Sequence, residues 1–498
     1  MQVVVRADAD AVMGIGHVAR CLALCQALAR AGADVVFATA SDAPRVLELI
    51  AQSRVRVARV SARHPDPRDA GETAAIAADA VVVDGYAFDA GYLAAMKKAG
   101  RRVVAVDDLA TVDLTAADIV LNPGPYAWHL PYALGRSTRW LGGSRFVLLR
   151  PEIVAARGTR EPAAVVRRVL VSMGGSDPAQ LTGPVLDALR EELRALETRV
   201  VLGPASSGAE GVLAVVDRMR TDGVEIAAVT ADARQMAEEM RAADLAIVAA
   251  GGTVWELASL GTPALTLISA DNQRPVASAA HELGLAVPAG TGDGIEPDDL
   301  RAAFKALASD TEARAKMSAR GRMLVDGAGA ARAARAILTP DEDWQLRRAR
   351  EDDVEAIWQI NRDPAVRAQS FSKADIPLDA HIAWFEGKRQ DPHSRLYVIG
   401  RDDAVGGQIR YDRRGEDGLV SFAVARALRG QGLGTRLLRE TFALAVRELG
   451  LRAVQALVLD HNPASAKAFL SAGYQETGTR TVDGRQCLSF ERRAAEAA

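Results

Sequence analysis

The strongest constraint on the fold lies at the amino terminus. Val3-Val4-Val5-Arg6-Ala7-Asp8 leads through Gly14-Ile15-Gly16-His17-Val18 into a segment with apolar residues at Val18, Cys21, Leu22, Cys25 and Leu28. A short β-branched run reads as a buried strand, and the spacing that follows is one face of an α-helix. The glycines let the chain turn tightly with its backbone bare. Strand, bare turn and helix in succession put His17 near the carboxyl end of a parallel sheet, the rim where open α/β sheets bind ligands. The partial positive charge of a helix amino terminus disfavours imidazolium, so His17 is a candidate general base beside an anion-binding loop. A capping or packing histidine at a strand–helix junction is the plain alternative, and the rest of the chain has to separate the two.

The alternation continues. Strands are expected at Val35–Ala38, Val81–Asp84, Val103–Val106 and Ile119–Leu121, with helical patterns between several of them. A second series follows at Arg168–Val171, Arg199–Leu202, Val224–Ala227, Leu245–Ala249 and Ala264–Leu267, closed by an Ala- and Arg-rich helix around Glu312–Leu338. Such alternation implies mostly parallel sheets, and two series imply two Rossmann-like lobes, residues 1–160 and 161–338. Thr339-Pro340-Asp341-Glu342-Asp343 breaks the pattern and reads as a linker, residues 339–343. A different unit occupies residues 344–498. There Leu346-Arg347-Arg348-Ala349 with Glu351-Asp352-Asp353 reads as the opening of a helix. Val420–Val424 and Ala453–Leu459 read as strands, and Asn462-Pro463 as a further helix start.

With 498 residues the chain exceeds one ordinary core. A net charge of −3 leaves no polyanion-binding signature, so no nucleic-acid partner is expected. No stretch of ~18 apolar residues is present, so no membrane partner is expected either. Cys21, Cys25 and Cys487 have neither zinc nor disulfide spacing, and Cys21 and Cys25 share a helix face as small apolar residues. With no leader-like start, the cytoplasm is the expected compartment.

Three further glycine or polar turns end expected strands: Ser172-Met173-Gly174-Gly175-Ser176-Asp177-Pro178, Ala250-Gly251-Gly252-Thr253-Val254-Trp255-Glu256 and Asp271-Asn272-Gln273. Bare amides at a helix amino terminus suit a pyrophosphate, and Glu256, one turn on, suits ribose hydroxyls. A purely structural loop explains any one of them; their joint placement on one rim is what carries weight. No phosphate-binding Gly-x-x-x-x-Gly-Lys-Ser/Thr occurs. Asp8-Ala9-Asp10 has the look of a metal-holding pair without a third ligand, so no metal is expected and Asp8 is given to the turn before His17. Asp107-Asp108 and Asn122-Pro123 read as turn chemistry.

Together these residues resemble a known family. Arg6-Ala7-Asp8, Ile15-Gly16-His17-Val18-x-Arg20-Cys21-Leu22, Asp84-Gly85-Tyr86, Asp107-Asp108-Leu109, Leu121-Asn122-Pro123, Gly174-Gly175-Ser176-Asp177-Pro178, Gly251-Gly252-Thr253-x-x-Glu256 and Asn272-Gln273 are similar to the UDP-sugar hydrolase of pseudaminic acid biosynthesis. That enzyme releases 2,4-diacetamido-2,4,6-trideoxy-L-altrose from its UDP conjugate. The resemblance spans about residues 1–335. It implies the two-lobed glycosyltransferase-B architecture, also that of the inverting peptidoglycan transferase that builds lipid II. It further implies that His17 activates water and that Gly14 and Gly16 help bind the substrate. Tyr86 and Asn272 would line the sugar pocket, Gly174, Gly175, Ser176, Gly251, Gly252 and Thr253 would hold the diphosphate, and Glu256 the ribose. Asp10-Ala11 departs from the small or glycine residue of the family, so the loop's shape there is not carried over.

In the last unit Arg429-Gly430-Gln431-Gly432-Leu433-Gly434-Thr435, with Asn462-x-x-Ser465-x-x-x-Phe469-x-x-x-Gly473-Tyr474, resembles the Gcn5-related N-acetyltransferases. The resemblance covers about residues 344–493. It implies an α+β domain in which Arg429 to Thr435 and Asn462 bind acetyl-CoA, the turn meeting its pyrophosphate. Many members have a tyrosine acid where this chain has Phe469, which cannot donate a proton, and Tyr474 occupies a core position, so the acid is unassigned. His381 and Glu386 are candidates on the amine side, and an exposed helix face explains them equally. The expected whole is an α/β chain of two Rossmann-like lobes followed by an acetyltransferase, acting on a UDP-sugar and acetyl-CoA. An acceptor-dependent glycosyltransferase and a nucleotide-sugar sensor controlling the acetyltransferase are the other readings. The sequence leaves the oligomeric state open.

Overall fold

A computed structural model describes residues 1–9, 16–159, 161–175, 177–203, 206, 208–291, 294–340 and 343–494. The chain forms two compact units, Met1–Ala127 with Leu141–Leu338, and Trp128–Trp140 with Thr339–Ala498. The boundary after Leu338 falls at the proline-and-acid segment; its Asp341 and Glu342 lie outside the described residues.

The first unit holds two sheets. The first comprises β1 (Gln2–Ala7), β2 (Asp34–Thr39), β3 (Arg56–Arg59), β4 (Ala80–Asp84), β5 (Arg102–Val106), β6 (Ile119–Asn122) and β7 (Arg139–Gly142), in spatial order β3-β2-β1-β4-β5-β6-β7. The second comprises β8 (Arg168–Ser172), β9 (Glu197–Leu202), β10 (Ile226–Thr230), β11 (Leu245–Ala249), β12 (Ala264–Ile268) and β13 (Val287–Thr291), in order β10-β9-β8-β11-β12-β13. From β1 to β6 and from β8 to β13 the order is the same, that of the doubly wound Rossmann sheet, and β1 to β6 and β8 to β13 pair in parallel. Helices cover both faces, so the central strands are buried throughout, as in β4 and β11.

Most expected strands stand within a residue or two of their reading. β10 begins two residues later than expected, and β3, β7 and β13 were not anticipated. β3 is a mostly exposed edge strand with an Arg at each end, and β13 carries a proline and a glycine. The expected single helix over Glu312–Leu338 is two helices, Thr311–Leu324 and Gly329–Leu338. Gly327, at φ +83°, breaks them.

The two lobes exchange helices. Helix Pro151–Ala156, expected in the first lobe, packs on helices Ala233–Ala242 and Gly252–Leu260 of the second; helix Gly329–Leu338 returns to pack on helix Gly16–Arg30 of the first. The two crossings run side by side. A Cβ on Gly329 would lie 2.3 Å from the Val147 carbonyl oxygen, so only glycine fits. Two parallel sheets joined by a crossing and a returning helix form the glycosyltransferase-B arrangement.

The second unit is α+β. Its sheet contains β14 (Gln345–Arg348), β15 (Ser394–Arg401), β16 (Ala404–Arg414), β17 (Asp417–Val424), β18 (Ala453–Leu459), β19 (Gln475–Val482) and β20 (Arg485–Arg493), ordered β14-β15-β16-β17-β18-β20-β19. All pairs are antiparallel except β17 with β18. Leu346–Arg348, expected to open a helix, is the edge strand β14; the helical turn starts only at Glu351.

Arg6 is a buried cation in the middle of the first sheet. It donates to Asp69 (3.0 and 2.6 Å) and to Asp8 (2.7 Å), and Tyr92 donates to Asp69 (3.0 Å). Removing one partner of such a pair strands a charge in low dielectric, so Asp69→Ala is expected to cost the first unit about 3–5 kcal/mol. Denaturant midpoints of the variant and parent measure it.

Candidate active sites

His17 lies in the first turn of helix Gly16–Arg30, just past the carboxyl end of β1. Its Nδ1 is 2.7 Å from Asp84 Oδ1, and Asp84 is the last residue of β4, the strand beside β1. Arg20 grips the same carboxylate twice, Nε to Oδ2 and Nη2 to Oδ1, both at 2.7 Å, and the Cys21 thiol donates to it at 3.1 Å. The other arm of Arg20 reaches Asp108, after β5, at 2.8 and 3.0 Å. His17, Arg20 and Cys21 stand at i, i+3 and i+4, one helix face, and that whole face converges on one buried acid.

The electrostatics fix the roles. Burial works to raise the Asp84 carboxyl, and Arg20 and His17 outweigh it, holding it well below the usual carboxylate range. A carboxylate oxygen 2.7 Å from a ring nitrogen needs a proton between them, so Nδ1 is the protonated nitrogen. Arg20 Nη2, 3.0 Å from the same Nδ1, is then a contact and not a donor to it. In the neutral ring Nε2 is then the nitrogen with the lone pair. Tyr86 meets the imidazole edge-on, centroids 4.7 Å apart at 87°. Tyr86 is 42% exposed, and Asn272, which lies after β12 of the second lobe, sits near its hydroxyl. A cavity of about 40 Å³, room for a water or two, lies against His17, Asp84, Tyr86 and Asp108.

In the second lobe, β8, β11 and β12 are neighbours, so the turns that follow them share one rim. Gly174 takes φ +82°. A Cβ on Gly203, after β9, would sit 2.2–2.3 Å from the Gly174 and Gly175 carbonyl oxygens, so this turn is seated on a bare neighbour. Gly251 precedes helix Gly252–Leu260, with Thr253 in its first turn; a Cβ on Gly251 or Gly252 meets nothing within 4 Å, which leaves the helix amino terminus open above. Glu256 is not free: Arg150 holds it by Nε to Oε1 (2.7 Å) and Nη2 to Oε2 (2.9 Å). Gly14 and Ser176 lie outside the described residues; Gly16 is exposed at the start of its helix.

Of the remaining sequence expectations here, Asp8 anchors its turn, accepting from Thr39 Oγ1 and the Ala40 amide, each at 2.8 Å. Asp107 caps the Leu109 and Ala110 amides, and Asn122 caps Gly124. Asp108, read as turn chemistry, instead anchors Arg20. The sequence marks Asp84 as a strand end and, with Arg20, as part of the resemblance, but not as partners. A lone acid ending the β-branched run Val81-Val82-Val83 was the available signal.

In the second unit β17 and β18 pair only from Asp417–Leu419 with Ala453–Gln455, yet run on to Val424 and Leu459, so a wedge opens between them. The turn Arg429–Gly432 follows β17 and starts the long helix Leu433–Leu449. Gly430 and Gly432 need φ +78° and +84°, and Gly434 lies so close to the Phe422 ring that a Cβ would meet it at 2.7 Å. Gln431, Leu433 and Thr435 complete this turn and first helical turn, whose amides suit an anion. The Arg429 side chain, expected at the cofactor, is engaged by Asp363 at 2.6 Å. Asn462 spends its Oδ1 capping helix Pro463–Ser471 through Ser465 N. Phe469 packs among Phe422, Tyr474 and Phe490, and Tyr474 is core. Glu386 pairs with Arg389. His381 is not on an exposed face: it is buried beside Trp384 and Phe385.

Known proteins are similar to each of these two parts. Residues 344–475 match the family model described as an acetyltransferase (GNAT) domain, and the chain carries that domain. The spore coat polysaccharide biosynthesis protein SpsG of Bacillus subtilis is 31% identical over 195 residues, 39% of this chain and 56% of that protein. The uncharacterized protein MJ1062 of Methanocaldococcus jannaschii is 26% identical over 282 residues, 55% of this chain and 57% of that protein. The chain thus spans little more than half the length of these curated relatives. The crystal structure of Acinetobacter baumannii MurG covers 68% of this chain at 18% identity, with a TM-score of 0.49.

Burial pushes the His381 imidazole down to about 4, against a backbone contact at Val354 that raises it. The unfolded chain binds this proton from about pH 6.5, so the second unit loses stability as pH falls from about 6.5 to about 4, by up to about 3 kcal/mol. His381→Phe is expected to flatten that part of the stability–pH curve, measured by denaturant midpoints at stepped pH.

Proposed function

We propose that the first unit hydrolyses a UDP-sugar, UDP-2,4-diacetamido-2,4,6-trideoxy-L-altrose, to UDP and the free sugar, as a step of pseudaminic acid biosynthesis. The GNAT domain would use acetyl-CoA to N-acetylate the UDP-4-amino-sugar precursor. The observation that carries the hydrolytic half is the His17–Asp84 contact, at the rim where Tyr86 packs edge-on against the imidazole.

Asp84 holds the Nδ1 proton, so Nε2 is the basic nitrogen. In this reading Nε2 takes a proton from water as the water oxygen bonds to the anomeric carbon. The bond from that carbon to the diphosphate oxygen breaks on the opposite face, and the configuration inverts. The leaving diphosphate is met by the helix amino terminus at Gly251-Gly252-Thr253 and by the Gly174-Gly175 turn. UDP is a good leaving group, so a placed base and fixed dipoles are the main requirement. Tyr86 and Asn272 place the sugar or the water. No metal is needed in this scheme. In the second unit, the amides of Arg429 to Thr435 would seat the acetyl-CoA pyrophosphate at the mouth of the β17–β18 wedge, leaving the thioester between the strands. Phe469 donates no proton there.

Among the described residues no helix is long and apolar enough to cross a membrane, and all three cysteines are buried thiols. Both facts fit small-molecule work in the cytoplasm. Fusion of the two activities keeps the product of one near the site of the other.

Purified protein given acetyl-CoA and UDP-4-amino-4,6-dideoxy-L-AltNAc should release free thiol first, then UDP and the diacetamido sugar, with no acceptor besides water. Label from ¹⁸O water should enter the sugar and not UDP. His17→Ala and Asp84→Asn should each keep UDP binding and lose about 10²–10⁴-fold in turnover. UDP release that requires an added acceptor alcohol would replace hydrolysis by glycosyl transfer.

A further inference from the structure

The ion pair between Arg150 and Glu256 is the feature of the second lobe that packing alone leaves unexplained. Arg150 stands directly before helix Pro151–Ala156, on the segment by which the chain enters the second lobe, and that short helix packs against helix Gly252–Leu260. Glu256 lies on the latter, one turn past the open Gly251-Gly252-Thr253 turn. The two side chains, 106 residues apart in sequence, meet fork to fork, with exposures of only 23% and 13%. Desolvating two charges cancels most of what their attraction returns, so such a pair adds little net stability. Its geometry is specific all the same.

Two consequences follow from that geometry. A carboxylate has about four lone-pair directions. The guanidinium takes one on each oxygen and leaves the outer ones, so Glu256 remains an acceptor with its rotamer locked. Its charge is also offset. An unpaired carboxylate one helical turn from a diphosphate would repel it, whereas a paired one accepts a neutral hydroxyl without opposing the anion.

We propose that Arg150 is the positioning residue that makes Glu256 a receptor for a ribose hydroxyl of the nucleotide, by fixing its orientation and offsetting its charge beside the diphosphate turn. This rests on the reading of the first unit as a UDP-sugar site.

Calorimetric titration of the full-length protein with UDP, 2′-deoxy-UDP and 3′-deoxy-UDP tests it. The parent should bind UDP about 10-fold or more tighter than at least one deoxy analogue, the usual worth of a hydrogen bond to a charged group. Arg150→Met should weaken UDP about 10–100-fold and cut the preference over that analogue below about 3-fold. In steady state it should raise KM and leave kcat within about 3-fold. Arg150→Lys, which restores charge without the fork, should recover part of the affinity but not the preference. Glu256→Gln should lose the preference too, and these two variants decide the matter if Arg150→Met does not fold. The proposal is overturned if Arg150 variants keep the parental preference, including the case where UDP and both analogues weaken equally. A parent that does not bind UDP at all would remove the UDP-sugar reading itself, a separate result.

Discussion

The Asp84 carboxylate, buried at the end of β4, is the constraint on which the first unit's rim depends. It accepts from His17, twice from Arg20 and from Cys21. An isolated carboxylate at that depth would cost several kcal/mol. Four contacts from one helix face stabilise it, and they orient that helix in return. Because Arg20 also reaches Asp108, the ends of β1, β4 and β5 are tied into one piece. The histidine is therefore held with its ring plane and position already set, which is what the proposed general base would need to act without reorganisation.

Arginine–acid pairs recur across the chain. Arg6 fixes Asp8, just past the end of β1, and Asp69. Arg150 fixes Glu256 beside the glycine turn of the second lobe. Arg429 is engaged by Asp363 beside the glycine turn of the acetyltransferase. In the two glycine turns the amides and helix dipole remain available to an anion, while the side chains that could crowd it are drawn aside.

The sheets were legible because the strands are buried on both faces and so read as unbroken apolar runs. The turns were legible because glycines mark them. β3 escaped because an exposed edge strand carries no such run, and the break at Gly327 because Ala and Arg are helix formers on both sides of it. At the candidate site the spacing of His17, Arg20 and Cys21 was visible, but their common partner was not. Asp84 is 67 residues from His17, and no local period reports a contact made by sheet topology. Glu256 was assigned by its place in a turn, and Arg150, 106 residues away, is likewise a tertiary fact. His381 misled because its helix lacks a clear apolar stripe; the packing of Trp384 and Phe385 buries it.

Nitrogen NMR of the His17 ring, in protein labelled with ¹⁵N-histidine and recorded in alkaline solution where the imidazole is neutral, tests the central claim most directly. The His17–Asp84 contact requires the proton on Nδ1 and a pyridine-type Nε2, with an Asp84→Asn variant losing that bias. A proton found on Nε2 would leave the ring without a basic nitrogen facing the substrate, and would contradict the account.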